Sequence, residues 1–523
     1  MSAPSPPKLV LCVIDAMAPA QLERAIEAGV APVLERLVAR GLYVPDCVAA
    51  FPSVTPVCAA SIVTGTGQDA HEIPGMNWFH RGEHRYVEYG SSFRAAQRFG
   101  IGRQLTDTVY NLNRAHLSPD TLTVFETLDD AEVRTAGTTY LMYRGRHRHE
   151  PQRDTALTRV ASALMRHAVM GPRELFYADI FASQRTGCRS NLGMPGVRDR
   201  HSGCVSAYMV EHDLFDFLLL SLPDNDWYSH KRGPDAQVHS IGQADLQLAR
   251  VMNAAGGVEP FLAEHAVIAM ADHSQALVTD TIALQDELAD LGVLSPPRPG
   301  SGRGARPQRS GAAGGAQPGY EGEPRIAVCP SQRAAMVYAL HEPERDAMRA
   351  LVVDRALEIE GVDLVLWLER DAHERPREGV IASPRHGELR FAPGGRALDA
   401  RGVSWSVDGA LSVIDGSVEE RRRLLSPAYP DALARAWAAL TCPNSGEVLL
   451  SASPGYEFLD WGRQAHVGGG SHGSLHASDS LGALVLSGLA LPDPPPAQWA
   501  IRDVAALVVD HFGLPARGRD AAR

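Results

Sequence analysis

Short blocks of consecutive apolar residues recur along this chain, and several of them run directly into ionisable side chains. Residues 9–14 lead into Asp15, Phe217–Leu222 precedes Asp226 and His230, and 267–270 precedes Asp272 and His273. Unbroken apolar runs of this length read as strands buried on both faces, as in a parallel sheet. Between them the period shifts to that of a helix: Leu22, Ile26, Val33, Leu34 and Leu37 form one apolar stripe and predict a helix over 21–40, and a second is predicted over 236–255. Strands alternating with helices give an α/β class, a doubly wound and mostly parallel sheet with helices on both faces. In such sheets ligands gather beyond the carboxyl ends of the strands, so the ionisable run ends are expected to converge there. His472, in the glycine-rich stretch 468–473, is placed with them.

The patterning breaks at 295–325, which is dense in Pro, Gly, Arg and Ser and reads as a linker with no core of its own. Beyond it, apolar runs at 334–340 and 362–368, a helix near 343–359, and short strands around Val380, Leu389 and Trp405 predict a smaller α/β module. The expected organisation is a core formed by 1–282, an inserted cap at 283–445, and a last core part at 446–523 entered through 448–451 and a helix near 499–512. Within the first part, 80–212 reads as pocket-shaping insertions around a helix-like stretch at 155–170.

Composition narrows this picture without changing it. With 523 residues, 45% hydrophobic and 21% charged, the chain has material for a large core and two domains. A net charge of −12 argues against broad binding of nucleic-acid backbones. No apolar stretch approaches the ~20 residues of a membrane span. The seven cysteines show no C-x2-C spacing and predict neither a disulfide framework nor a thiolate metal site, which makes a cytoplasmic setting the expectation.

The candidate chemistry lies in the run ends. Asp15, Asp226, His230, Asp272, His273 and His472 are oxygen and nitrogen donors of the kind that hold divalent cations, enough for two ions with three side chains each. A fifth segment, 51–56, carries two prolines into an apolar stretch that ends at Gly65, and predicts a helix entered at Thr55. A hydroxyl there feels the positive end of the helix, which makes Thr55 the candidate nucleophile.

Six features in this order resemble the type I phosphodiesterase/nucleotide pyrophosphatase family of the alkaline phosphatase superfamily. They are Asp15, the segment from Thr55 to Gly65, His71 with Asn77, Asp226-x3-His230 with Gly233-Pro234, Asp272-His273, and Ser471-His472-Gly473. The resemblance implies an alkaline phosphatase-like core and two divalent ions, Zn2+ or else Mn2+. It implies that Asp15, Asp272 and His273 hold the ion that coordinates Thr55, and that Asp226, His230 and His472 hold the other. Thr55 would form a phospho-threonine intermediate, and Asn77 would donate to a nonbridging phosphoryl oxygen. The implied activity is hydrolysis of a small-molecule phosphodiester or pyrophosphate.

Other readings stand beside these. Asp15 and Thr55 are also common helix-capping types, and Asn77 follows Pro74-Gly75, where asparagine usually serves a turn. His71 is expected to organise its loop, and Asp224 competes with Asp226 as a ligand. Pro56 stands where nucleotide-specific members carry an aromatic residue, with Trp78 and Phe79 as a substitute aromatic wall or simple packing. The arginine-rich tract 143–153 is either a second anion grip or a solvated loop. The same two-ion site would also serve a phosphonate hydrolase cleaving a C–P bond or a phosphomonoesterase, and a different class is an inactive metal-binding scaffold.

Overall fold

A computed structural model describes residues 7–155, 158–159, 165–296 and 322–515. Its central sheet has eight strands: β1 (Lys8–Ile14), β2 (Leu42–Val48), β3 (Thr135–Gly137), β4 (Glu174–Tyr177), β5 (Phe181–Ala182), β6 (Phe217–Leu222), β7 (His265–Met270) and β8 (Leu481–Ser487). Their spatial order is β2-β8-β7-β1-β6-β3-β4-β5. The centre, β7-β1-β6-β3-β4, is parallel, and β8, β2 and β5 join antiparallel at the edges. In the register, Ile14 pairs with Leu222 and Val13 with Met270, so β1, β6 and β7 end level with one another. That level edge puts the residues that follow all three strands in one place.

Side chains of successive strand residues point to opposite faces, and β1 feeds two cores accordingly. Val10, Cys12 and Ile14 pack with residues of helices α1 (Pro19–Glu27) and α2 (Pro32–Arg40), such as Leu22 and Leu34. Leu9, Leu11 and Val13 pack on the other face with Val57, Ile62 and Val63 of α3 (Thr55–Thr64). The single helix expected over 21–40 is thus two. Gly29, in the left-handed region at φ 68°, closes the first, and Pro32 starts the second, where its missing N–H costs nothing.

The later apolar runs build a second, antiparallel sheet of seven strands. Its order is Ile326–Ser331, Ala334–Ala339, Val448–Ala452, Val362–Arg370, Pro376–Ser383, Gly387–Leu398 and Ser404–Gly409. One face carries helix Arg345–Ala356 through Met348 and Val352, and the other shares the larger core with α3. Val448–Ala452 therefore does not return the chain to the central sheet as expected: it pairs between Ala334–Ala339 and Val362–Arg370. An apolar run specifies a buried strand and is silent about its partner. The return is made by β8, between β2 and β7.

The linker reading at 295–325 lies largely outside the described residues, as do 156–157 and 160–164 of the helix read at 155–170. The described end of the latter, Val169–Gly171, is a strand. Cys188 and Cys204 are disulfide-bonded, contrary to the expectation of no disulfide, so the cysteines no longer argue for a reducing compartment. Among the described residues no helix is long and apolar enough to cross a membrane.

Candidate metal centre

The carboxyl edge of β1, β6 and β7 delivers Asp15, Asp226, Asp272 and His273, while the loop before β8 adds His472. Two groups have ligand atoms within 4.8 Å of one another: Asp15, Asp272 and His273, and Asp226, His273 and His472. His230, one turn after Asp226 on helix α5 (Asp224–Arg232; α4 is Arg198–Glu211), joins the second through Nε2, 3.3 Å from Asp226 Oδ1. His472 Nε2 approaches the same oxygen at 3.5 Å. Thr55 Oγ1 lies 3.3 Å from His273 Nε2.

The hydrogen bonds behind the imidazoles fix which nitrogen faces the cluster. Nδ1 of His230 lies 2.7 Å from Gly470 O, that of His472 2.7 Å from Ser53 O, and that of His273 3.1 Å from Ser274 O. A carbonyl oxygen only accepts, so each Nδ1 carries the proton and each Nε2 turns a lone pair inward. This is how metal-ligating histidines are usually oriented. The carboxylates are less completely satisfied. Asp272 Oδ1 accepts from the amides of Ala16 and His273, but Asp272 Oδ2 and Asp15 Oδ1 are buried without a hydrogen-bond partner. Burial first, then repulsion from Asp272 and Asp226, pushes Asp15 well above the ordinary carboxylate range. Burial keeps His472 neutral. A concentration of buried oxygens and lone pairs without a compensating positive charge fits divalent cations, which would relieve it.

Thr55 is the first residue of α3, preceded by extended Val54 and followed by Pro56. The loop before it is held by Ser53, whose hydroxyl donates to Ser474 O at 3.1 Å and accepts from the Gly473 amide at 3.0 Å. Eight of the helix's ten residues are buried, and only its entry faces the cluster.

The remaining expectations divide. His71 is buried against α3, with Nε2 3.2 Å from Ser61 Oγ and Nδ1 accepting from the Ile73 amide; burial holds its pKa down at about 3. It organises its loop. Asp224 accepts from the amides of Gly196 and Asp199 and from Arg198, which ties α5 to the start of α4 and leaves Asp226 to the cluster. Asn77 is fully buried, and one N–H of its side-chain amide donates to Pro330 O at 2.6 Å. That carbonyl belongs to strand Ile326–Ser331 of the second sheet, which packs against residues 77–80. Trp78 and Phe79 are buried as well, with Trp78 Nε1 donating to Tyr89, so they form no aromatic wall. In the tract 143–153, Arg144 and Arg146 pair with Glu126 and Asp130 and serve local structure.

Supporting residues also emerge that the sequence did not single out. Gln275 donates to the side chain and carbonyl of Asp226. Glu457 accepts from Ser471 Oγ and from the His466 ring and amide, pinning the loop whose Gly470 carbonyl orients His230. Gln275 stands three positions after Asp272, a weak local signal; Glu457 had none.

A sequence profile of the type I phosphodiesterase/nucleotide pyrophosphatase family matches residues 9–475. No curated protein sequence matches the chain. Among solved structures, murine ectonucleotide pyrophosphatase/phosphodiesterase 5 superposes with a TM-score of 0.55 at 11% identity, covering 98% of this chain and 97% of that one. An inactive threonine-to-alanine form of the murine protein is described in complex with AMP. Phosphonoacetate hydrolase from Sinorhizobium meliloti 1021, in complex with phosphonoformate, superposes with a TM-score of 0.52 at 17% identity, covering 97% and 96%. With the profile spanning most of its length, the chain belongs to the type I phosphodiesterase/nucleotide pyrophosphatase family and is a hydrolytic enzyme on an α/β framework shared with these structures.

Proposed function

We propose that this protein hydrolyses small-molecule phosphodiesters or pyrophosphates through a covalent phosphoryl intermediate on Thr55. The observation that carries this reading is the placement of the Thr55 hydroxyl, at the start of α3 and 3.3 Å from His273 Nε2, beside carboxylates whose buried oxygens lack partners. Asp15, Asp272 and His273 would hold one divalent cation, and Asp226, His230 and His472 a second. Carboxylate and imidazole donors favour Zn2+, with Mn2+ as the alternative. When bound, such ions supply Lewis-acid charge that lowers the pKa of a hydroxyl and offsets charge on a transferring phosphoryl group.

The protein's part is orientation. The helix entry holds Thr55 Oγ1 where the amino-terminal dipole favours its anion, so it attacks phosphorus without a histidine base. The new O–P bond forms as the bond to the leaving alcohol or phosphate breaks, and the leaving oxygen departs with the electron pair. Water then attacks the phospho-threonine, and the Thr55 O–P bond breaks to regenerate the hydroxyl. Gly470, Ser53 and Ser274 keep the three imidazoles in one tautomer throughout.

The inactive threonine variant of the murine neighbour is in keeping with a threonine nucleophile, and the phosphonoacetate hydrolase neighbour keeps C–P cleavage as the second reading. The test is mass spectrometry of acid-quenched protein turning over a nitrophenyl phosphodiester, beside the monoester and a phosphonate. A phosphoryl adduct on the peptide holding Thr55, absent from Thr55→Ala, is the expected result. Turnover with no adduct and undiminished activity in Thr55→Ala would overturn the assignment.

A further inference from the structure

One N–H of the Asn77 side-chain amide is taken by Pro330 O, which leaves room for a further donor to a phosphoryl oxygen. Tyr140 offers one. The chain leaves β3 locked to its neighbours: the Thr138 amide donates to Leu219 O at 3.1 Å, and its hydroxyl accepts from the Ser221 amide at 2.9 Å. Thr139 Oγ1 accepts from the Ala178 amide at 2.9 Å, which fixes the same segment to the end of β4. Tyr140 follows immediately, at the carboxyl edge that also delivers Asp15 and Asp226. Its side chain is 5% exposed and belongs to the core on the α3 face of the central sheet. Its hydroxyl is buried with no hydrogen-bond partner.

A buried phenol without a partner is costly and uncommon. The same carboxyl edge of the sheet carries two other partnerless atoms, Asp15 Oδ1 and Asp272 Oδ2. Burial, followed by the charges of Asp272 and Asp15, pushes the phenol up. Burial and the doubly anchored backbone leave the ring little freedom to turn its hydroxyl elsewhere.

We propose that the Tyr140 hydroxyl donates a hydrogen bond to a nonbridging oxygen of the phosphoryl group being transferred. This rests on the reaction proposed above. A neutral phenol is a donor only toward such an oxygen, and in a site shielded from water its bond strengthens as charge grows on the phosphoryl group. Tyr140 is thereby a catalytic residue that touches substrate without exchanging a proton with it.

The test compares wild type, Tyr140→Phe and Thr55→Ala as full chains supplied with Zn2+ or Mn2+. Four quantities are read: kcat/KM for bis(4-nitrophenyl) phosphate, inhibition by orthovanadate, bound metal by elemental analysis, and Tm. Tyr140→Phe keeps the ring, so packing is retained. The expected result is a fall in kcat/KM of about 100-fold with a comparable weakening of orthovanadate inhibition, at unchanged metal content and Tm. A kcat/KM within about twofold of wild type overturns the proposal, as does a fall accompanied by lost metal or lowered Tm, which would mark a structural or ligating role. A wild type with no metal-dependent activity, or a Thr55→Ala as active as wild type, defeats the reaction itself, and the role of Tyr140 falls with it. An active wild type, an inactive Thr55→Ala and an unaltered Tyr140→Phe defeat the Tyr140 role alone.

Discussion

Replacing Asp15 with asparagine should stabilise the protein in chelator and weaken the stabilisation that a divalent cation confers. Asp15 is buried beside Asp272 and Asp226, both of which push its carboxyl toward the protonated form, and its Oδ1 has no partner whose loss would offset the change. Ligand atoms of Asp15 and Asp272 lie within 4.8 Å, a separation at which two unit charges repel by about 3 kcal/mol at an effective dielectric constant near 20. Asparagine keeps the shape and removes the charge, so the metal-free protein should gain about 1–3 kcal/mol, the lower end reflecting the nearby Arg198 charge that already eases Asp15. For a chain of 523 residues that is a rise in Tm of about 1–3 °C. A cation at 100 times its dissociation constant stabilises by about 2.7 kcal/mol per site, and the variant should lose the share that belongs to the Asp15 site. Calorimetry of chelated and Zn2+-supplied samples measures both terms. A variant less stable than wild type in chelator, with an undiminished response to Zn2+, would refute the reasoning.

Three further outcomes follow from other parts of the structure. His71 stays neutral when folded down to about pH 3, whereas the unfolded chain takes up a proton near 6.5. The folded state then binds fewer protons between those values, so stability is lost as pH falls below about 6.5, by roughly 2 kcal/mol at pH 5. Urea unfolding at pH 7.5 and 5 should show a smaller loss in His71→Gln. Gly469→Ala would set a Cβ 1.9 Å from the His230 carbonyl oxygen, so α5 must shift; metal affinity should fall about 10- to 100-fold in a chelator competition. Arg333 is fully buried, 2.9 Å from Asp479, with its amide donating to His472 O. Arg333→Ala leaves Asp479 buried and unpaired, and denaturant titration should register a loss of about 3–5 kcal/mol.

Much of the fold and many of the site's residues were legible because strand ends and chemistry coincide in this chain. Residues 9–14, Phe217–Leu222 and 267–270 announce buried strands, and the level register of β1, β6 and β7 turns three remote sequence positions into neighbours. The helix start at Thr55 was equally clear from the prolines before and after it. What escaped depended on long-range packing. Val448–Ala452 has the same apolar pattern as the central strands, and only its partners assign it to the second sheet. Asn77 follows Pro74-Gly75 in sequence, and only the fold shows its amide donating to Pro330 O of the second sheet. Tyr140 carried no signal, since an unpartnered hydroxyl is a property of the assembled core. The break between α1 and α2 was written in Gly29 and Pro32 but hidden beneath an apolar stripe that continues across it.

The most direct measurement is the rate of bis(4-nitrophenyl) phosphate hydrolysis by wild type and Thr55→Ala, after chelation and again after return of Zn2+ or Mn2+. A wild-type rate abolished by chelator and restored by metal, with Thr55→Ala binding metal normally yet remaining inactive, is the predicted result. A rate indifferent to chelator, or a Thr55→Ala as active as wild type, would contradict a metal-dependent hydrolase working through Thr55.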